Sequence, residues 1–415
     1  MNDPWFIEEM QARGYAPGPS MGGDISGELL GCVRETYLRW FGWHYDLGAL
    51  DAVLCAAASE RMDGDPPWLQ VVGGSGAAKT ETLMPLTGAG AVTVSTISGE
   101  AALLSGTSKK DRAENATVGL LREVGDRGIL VVKDFTSVLS MNRDTRALVL
   151  AALREVYDGS WSRRVGTDGG QVLCWTGRVV LIGGVTTAWD SAHQVISTMG
   201  DRFVLVRMNS SHNRRAAGRQ AMRNVSYEAK MRSELAEVVG ELLESSRADV
   251  DLGDEEIDQL LDVADLVTRA RTAVERDFAG NPAFAHALEM PTRYAKQLVQ
   301  LARGGIAIGM PRESAMAVAL RGARDSIPPL RLRTLADVAR HPITRTSELV
   351  KRLQLPRQTV DRTLQELHLL ELLIVDEEPY GDGKHRWLYQ LAETVDEQTL
   401  ANLTRNVTTS KEETA

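Results

Sequence analysis

The residues that could do chemistry begin with Gly73-Gly74-Ser75-Gly76-Ala77-Ala78-Lys79-Thr80, between an apolar run and a helical pattern. Glycines let consecutive backbone N–H groups wrap phosphate oxygens without Cβ clashes. Lys79 would set a cation against the outer phosphates, and the Thr80 hydroxyl would ligate Mg²⁺. A helix starting near Lys79 would add its N-terminal partial positive charge. The run is one residue from G-x-x-x-x-G-K-[ST]. Ala78 stands where the last glycine is usual, a modest departure provided it has helical φ/ψ. A glycine-rich turn with an accidental lysine is the competing reading, and the strand-then-helix setting argues against it. The expected cofactors are ATP and Mg²⁺.

A second carboxylate at a strand tip should help hold that cation. Gly128–Val132 is an apolar strand, followed by Lys133 and Asp134. Many ATPases carry Glu next, to orient the attacking water, but Phe135 occupies that place. Either Glu123, Asp126, Asp144 or Glu155 supplies the base, or hydrolysis is slow. A turn carboxylate with no ligand is the plainer reading of Asp134.

These residues need a scaffold that brings strand ends together. Residues 1–66 read as a helical N-terminal region, with Ile25–Trp43 and then Leu47–Arg61, whose Leu50, Val53, Leu54 and Ala57 recur at helical spacing. Pro66-Pro67 breaks that pattern. From 67 to 209, Trp68–Val72, Ala91–Ser95, Gly128–Val132, Val179–Ile182 and Phe203–Val206 alternate with helices such as Arg146–Tyr157, which predicts an α/β parallel sheet covered on both faces. Strands are expected to stop after Arg207. Residues 210–330 read as a helical lid, with helices over Ser226–Leu243, Glu255–Arg276, Pro291–Ala302 and Arg312–Ala323. A compact unit over 331–392 and a polar tail over 393–415, expected to be disordered, complete the chain.

With these residues in place, the chain resembles AAA+ ATPases over roughly 50–325, above all the minichromosome-maintenance-like helicases and the ATPases of phages and mobile elements. The order Leu104–Lys110, Gly119–Val124 and Asp126-Arg127-Gly128-Ile129 resembles that family's insert, approach helix and entry to the acidic strand. Ser162–Val165 and Gln171–Trp175, around Thr167-Asp168-Gly169-Gly170, predict a β-hairpin. The resemblance implies that it grips DNA through Arg163 and Arg164, which could equally solvate a surface arm. Thr186, ahead of Thr187, resembles the polar sensor of the lytic water. Met199-Gly200-Asp201-Arg202-Phe203 resembles the arginine-finger segment, so Arg202 would reach the γ-phosphate in a neighbouring subunit, unless it is a surface partner of Asp201. Arg293, in Pro291-Thr292-Arg293-Tyr294, resembles the second sensor, with Arg269, Arg271 and Arg303 as competitors. The resemblance thus implies a homo-oligomer, a hexameric ring.

The C-terminal unit has its own signature. Helices over Thr344–Leu353 and Arg357–Leu369 flank Gln354-Leu355-Pro356, and strands over Leu372–Asp376 and Lys384–Leu391 flank a glycine turn. Helix-turn-helix plus hairpin is a winged helix, similar to those of transcription regulators and helicases. Residues 331–375 hold eight Lys and Arg against five Asp and Glu. Arg357, Gln358, Thr359 and Arg362 would face a major groove, while Lys384, His385 and Arg386 could touch the backbone. A protein-binding winged helix is the alternative, favoured slightly by Asp376-Glu377-Glu378. A further basic stretch, Arg207, Arg214, Arg215, Arg219 and Arg223, could neutralise phosphates or form a solvated face.

Composition closes off other classes. The 415 residues carry 47 Lys and Arg against 56 Asp and Glu, a net −9, which excludes a uniformly basic nucleic-acid coat. Three scattered cysteines argue against a disulfide framework or zinc site. No apolar run approaches the ~20 residues of a membrane span, and no signal peptide is apparent, so a cytoplasmic protein is expected. The expected function is an ATP-driven DNA-acting ATPase, a helicase or replication initiator of a phage or mobile element. The alternative is a nucleotide-dependent DNA-binding switch, such as a regulator or helicase loader, and a metabolic kinase is a distant third.

Overall fold

The computed structural model describes residues 25–105, 119–166, 170–198, 201–209, 214–379, 381 and 385–405. The chain divides into two compact units built from interleaved segments. The first takes Met1–Trp189, Val206–Leu252 and Val299–Val318, and the second Asp190–Leu205, Gly253–Leu298 and Ala319–Ala415.

A five-stranded sheet holds the strands β1 (Leu69–Val72), β2 (Val92–Val94), β3 (Arg127–Val132), β6 (Arg178–Val185) and β7 (Val204–Arg207), in the order β2-β3-β6-β1-β7. The first four lie wholly in the first unit and organise it, and of β7 only Val206 and Arg207 belong to it. The pairings of β1 with β6, β3 with β6 and β2 with β3 are all parallel. Leu69, Val71, Leu130, Val131, Val180, Leu181 and Ile182 are at most 1% exposed. Burying each such side chain contributes about 1.5–3 kcal/mol, which is why these strands read as unbroken apolar runs. The hairpin β4 (Ser160–Val165) and β5 (Gln171–Thr176) forms where expected, with Trp161 opposite Trp175; its turn, 167–169, lies outside the described residues, as do 106–118 of the insert.

Helices α1 (Ile25–Phe41) and α2 (Leu47–Ala58) fall in this same unit. A buried pair joins them, Arg34 donating from Nε and Nη2 to the two oxygens of Asp51, each at 3.0 Å. Gly88 and Gly240 mark a close approach: a Cβ on Gly88 would lie 1.8 Å from the Ala236 carbonyl oxygen, and one on Gly240 2.6 Å from the Gly88 oxygen. Only glycines let the helix Glu228–Glu244 press against the short turn Met84–Ala89.

The second unit departs from expectation in two places. The helix foreseen over 255–276 spans only Asp254–Ala270, and strands do follow Arg207: β8 (Val274–Arg276) pairs antiparallel with β9 (Pro282–Ala285). The turn explains why, since Asp277 accepts from Asn281 N at 2.8 Å and Gly280 has φ +78°. The expected disordered tail instead opens with a helix, Glu397–Thr404, capped by Asp396 and burying Leu400 and Leu403.

The C-terminal module follows the expected order: helix Pro329–Arg340, β10 (Thr344–Arg345), helix Thr346–Leu353, helix Arg357–Leu369, β11 (Leu373–Pro379) and β12 (His385–Leu391). Its strands pair as β10-β12-β11. This is the winged-helix arrangement, and Arg352 pins its second helix to the fully buried Asp337 of its first. The fold class is thus α/β, a P-loop parallel-sheet core with helices and a C-terminal winged helix. Among the described residues no helix is long and apolar enough to cross a membrane.

Candidate functional site

Because β1, β3 and β6 run parallel, their C-terminal ends share one edge of the sheet. The P-loop leaves β1 there, Asp134 lies two residues past β3 and Thr186 directly follows β6. The residues expected to surround a nucleotide therefore gather on one edge, as open parallel sheets generally bind ligands beyond strand C-termini. β6 lies between the P-loop strand and the acidic strand.

Lys79 Nζ donates to the Gly73 and Gly74 carbonyl oxygens at 2.8 and 2.7 Å, folding back across its own loop. Burial depresses its pKa, and the charge of Asp134 works the other way. Gly76 takes φ +78°, and Ala78 takes φ +58°, ψ +15°. The proviso on Ala78 fails: it is left-handed, where a Cβ costs ~1–2 kcal/mol. Thr80 is exposed at the start of the five-residue helix Lys79–Leu83.

A network of hydroxyls surrounds Asp134. Its carboxylate accepts from Thr136 N at 3.0 Å, and Ser137 Oγ donates to its carbonyl oxygen at 2.7 Å. Thr136 Oγ1 accepts from Thr186 N at 3.0 Å and meets Thr186 Oγ1 at 3.4 Å; Ser137 also bonds Thr96. Phe135 is fully buried and packs near Trp189, ring centroids 6.3 Å apart. It is a core residue, and a carboxylate there would be buried. Of the four alternative bases, Glu123 and Asp126 precede β3 and Glu155 ends the helix that returns along the sheet, so topology puts all three at the opposite edge. Asp144, at the start of that helix, is the one on the near side. Among the described residues no cluster of three His, Cys, Asp or Glu could hold a metal. Thr80 and Asp134 offer two oxygens, which suits Mg²⁺, a cation that takes few protein ligands and completes its shell with water and phosphate oxygens.

Beside the P-loop lies a cleft of about 450 Å³ that the sequence reading missed. Its walls are Trp40, Phe41 and Tyr45 from the α1–α2 corner, Ser75–Ala78 of the loop, and one face of the helix α6 (Arg214–Asn224). Phe41 and Tyr45 stack with centroids 5.0 Å apart, and the Tyr45 hydroxyl shares a 2.7 Å hydrogen bond with Thr82. Asn224 Nδ2 donates to Trp40 O at 2.6 Å, and Asp46 accepts from Asn209 N at 3.1 Å, closing the corner onto the core. A signal was present: Trp40, Phe41, Trp43 and Tyr45 fall within six residues of a chain that is 5% aromatic.

Arg202 and Arg293 lie in the second unit around a buried arginine. Arg271, 1% exposed, donates to Glu289 Oε2 at 2.7 Å and to Phe203 O at 3.2 Å, approaches Asp201 at 3.9 Å and stacks 4.2 Å over Tyr294. Burial works against its charge, but Glu289 and Asp201 outweigh it and hold the guanidinium ionised. Burial raises the Asp201 pKa, opposed by Arg271, and its carboxylate accepts from Phe203 N at 2.8 Å. Arg202 thus sits in a turn clamped on both sides. Arg293 pairs with Glu289 at 3.7 Å. The competitors are committed elsewhere: Arg271 here, Arg269 to Glu371 and Thr394, Arg303 to the Val250 and Asp63 carbonyls.

The expected DNA contacts are spread over both units. Arg163 pairs with Glu100 at 3.2 Å, while Arg164 is exposed. Arg357 and Gln358 are exposed and Thr359 is half-buried. Arg362 donates to Ala279 O and to Asn281 in the β8–β9 turn, and Arg386 pairs with Glu378 at 3.0 Å. Lys384 lies outside the described residues.

No protein-family model matches the chain, and no characterised protein matches it in sequence. Among solved structures, the Orc1 protein of Aeropyrum pernix in complex with DNA aligns over 86% of this chain and 91% of its own, at 15% identity and a TM-score of 0.25. A likeness that low carries no argument for function.

Proposed function

We propose that this chain is an ATP-dependent, DNA-acting AAA+ ATPase, assembling as a ring-forming helicase or replication initiator of a phage or mobile element. The observation that carries it is the shared sheet edge: the P-loop, Asp134 and Thr186 follow the C-terminal ends of three parallel strands. Gly73–Thr80 bind the phosphates, and the base enters the aromatic cleft. Thr80 and Asp134 hold Mg²⁺, which would neutralise developing phosphate charge. Thr186 orients water, Arg202 serves the neighbouring subunit's γ-phosphate, and Arg293 acts as the second sensor. Arg163, Arg164, Arg357, Gln358, Thr359, Arg362, Lys384 and Arg386 are the proposed DNA contacts, with the exposed Arg164, Arg357 and Gln358 the readiest.

The burial of Phe135 favours a second reading, in which ATP binding drives a DNA-binding switch and hydrolysis is slow. ATP turnover with and without single- and double-stranded DNA, alongside Lys79→Ala, separates the two. DNA-stimulated turnover lost in the variant supports the ATPase, whereas nucleotide binding without turnover supports the switch. Arg202→Ala should bind ATP and not turn it over; full activity in that variant would sink the trans-acting finger.

A further inference from the structure

The helix α6 divides two clefts. At 100° per residue, Arg214, Ala217, Ala221 and Asn224 fall on one side, toward the P-loop cleft. Arg215, Arg219 and Arg223 fall at i, i+4 and i+8 on the other, with Met222 between them. That side borders a shallow cleft of about 950 Å³ whose far wall is Phe41-Gly42-Trp43-His44. The three arginines are exposed, and no ion pair or hydrogen bond engages them among the described residues. Residues 207–227 hold no Asp or Glu, in a chain of net charge −9.

Unneutralised arginines about 6 Å apart along a helix axis match a repeating anion rather than a single one. A backbone of successive phosphates has that character. The half-exposed Trp43 and exposed His44 opposite add flat faces, which suit unstacked bases; duplex DNA keeps its bases stacked inside. We propose that α6 and the Trp43–His44 corner form a binding site for single-stranded DNA, phosphates on Arg215, Arg219 and Arg223 and a base on Trp43. This rests on the DNA-acting reading above, and it adds a site outside the hairpin and the winged helix. Because the opposite side of α6 lines the P-loop cleft, nucleotide and strand share one wall, so ATP·Mg²⁺ shifts the affinity for DNA.

The test uses the full chain and fluorescein-labelled oligo(dT), with affinity followed by anisotropy between about 50 and 200 mM salt. At ~0.7 per phosphate, Arg215→Gln/Arg219→Gln/Arg223→Gln should lower the slope of log affinity against log salt by about two, so the native chain weakens roughly twentyfold more over that range. Trp43→Leu should weaken binding about tenfold with the slope unchanged. ATP binding by both variants checks that they fold, and Arg219→Lys should keep the native slope. A triple variant that binds oligo(dT) with native affinity and slope overturns the site and leaves the DNA reading standing. So does one that changes only the oligomeric state, which would make α6 a subunit contact. If the native chain binds neither oligo(dT) nor duplex at low salt, the DNA reading itself fails, and this site with it.

Discussion

Two groups of arginines in this molecule are treated in opposite ways. In the second unit Arg271 is fully enclosed and every direction it faces is answered, by Glu289, Asp201, the Phe203 carbonyl and the Tyr294 ring. In the first unit Arg215, Arg219 and Arg223 stand exposed with no carboxylate beside them among the described residues, and Lys79 leans on its own loop carbonyls. The same charge is structural where the fold completes its shell and binding-competent where the shell is left to a ligand. Residue type in sequence does not distinguish these cases; the number of partners does.

The largest test of that contrast is to remove one cation from each group. Arg271→Met leaves Asp201 and Glu289 without their shared partner, Asp201 fully buried, and should cost about 3–5 kcal/mol in chemical denaturation. Arg219→Ala should stay within about 0.5 kcal/mol of the native chain. Equal losses would erase the distinction. Next in size is the response to ligand. ATP with Mg²⁺ at a hundredfold its dissociation constant should stabilise the native chain by about 2.7 kcal/mol in a thermal-shift titration, and Lys79→Ala should abolish that gain.

A smaller effect is expected inside the first unit's core. Gln70, on the strand that delivers the P-loop, is fully buried, and neither end of its amide has a hydrogen-bond partner among the described residues. Its side chain occupies the space a Cβ on Gly183 would need, 2.3 Å from Oε1. Gln70→Met keeps the shape and removes the unsatisfied amide, so stability should rise by about 1 kcal/mol. A loss instead would show that the amide is satisfied in solution, by water or by nucleotide-linked rearrangement.

How much of this could be read beforehand follows from the range of each cause. The five core strands and the winged-helix elements were legible because apolar runs and turn residues act locally. The P-loop run and Asp134 could be proposed beforehand because the chemistry they suggest is compressed into a few adjacent positions. The β8–β9 hairpin was missed because Val274-Glu275-Arg276 continues a helical pattern, and the Asp277 turn that ends it depends on one side-chain hydrogen bond. The aromatic cleft was missed because its walls come from residues 40–45, 75–78 and 214–224, which only packing brings together. The fate of Arg362 and Arg386 was hidden for the same reason: their partners sit on other strands and loops. Phe135 was noticed as a missing acid, but that it is a core residue against Trp189 required the fold.

The smallest predicted effect has the most informative sign. Reading Ala78 as helical would make glycine there a loss of about 0.5–1 kcal/mol, since glycine surrenders more backbone entropy on folding. The left-handed backbone at φ +58° reverses this. Relief of the Cβ clash, about 1–2 kcal/mol, exceeds that entropy, leaving Ala78→Gly more stable by roughly 0.5–1 kcal/mol. The loop N–H groups that would wrap phosphate depend on this same turn, so the gain should persist when ATP·Mg²⁺ is bound and affinity should not fall. Thermal denaturation with and without nucleotide measures both. A destabilised variant would mean that Ala78 is helical in solution, and that the ligand-ready loop forms only when the nucleotide arrives.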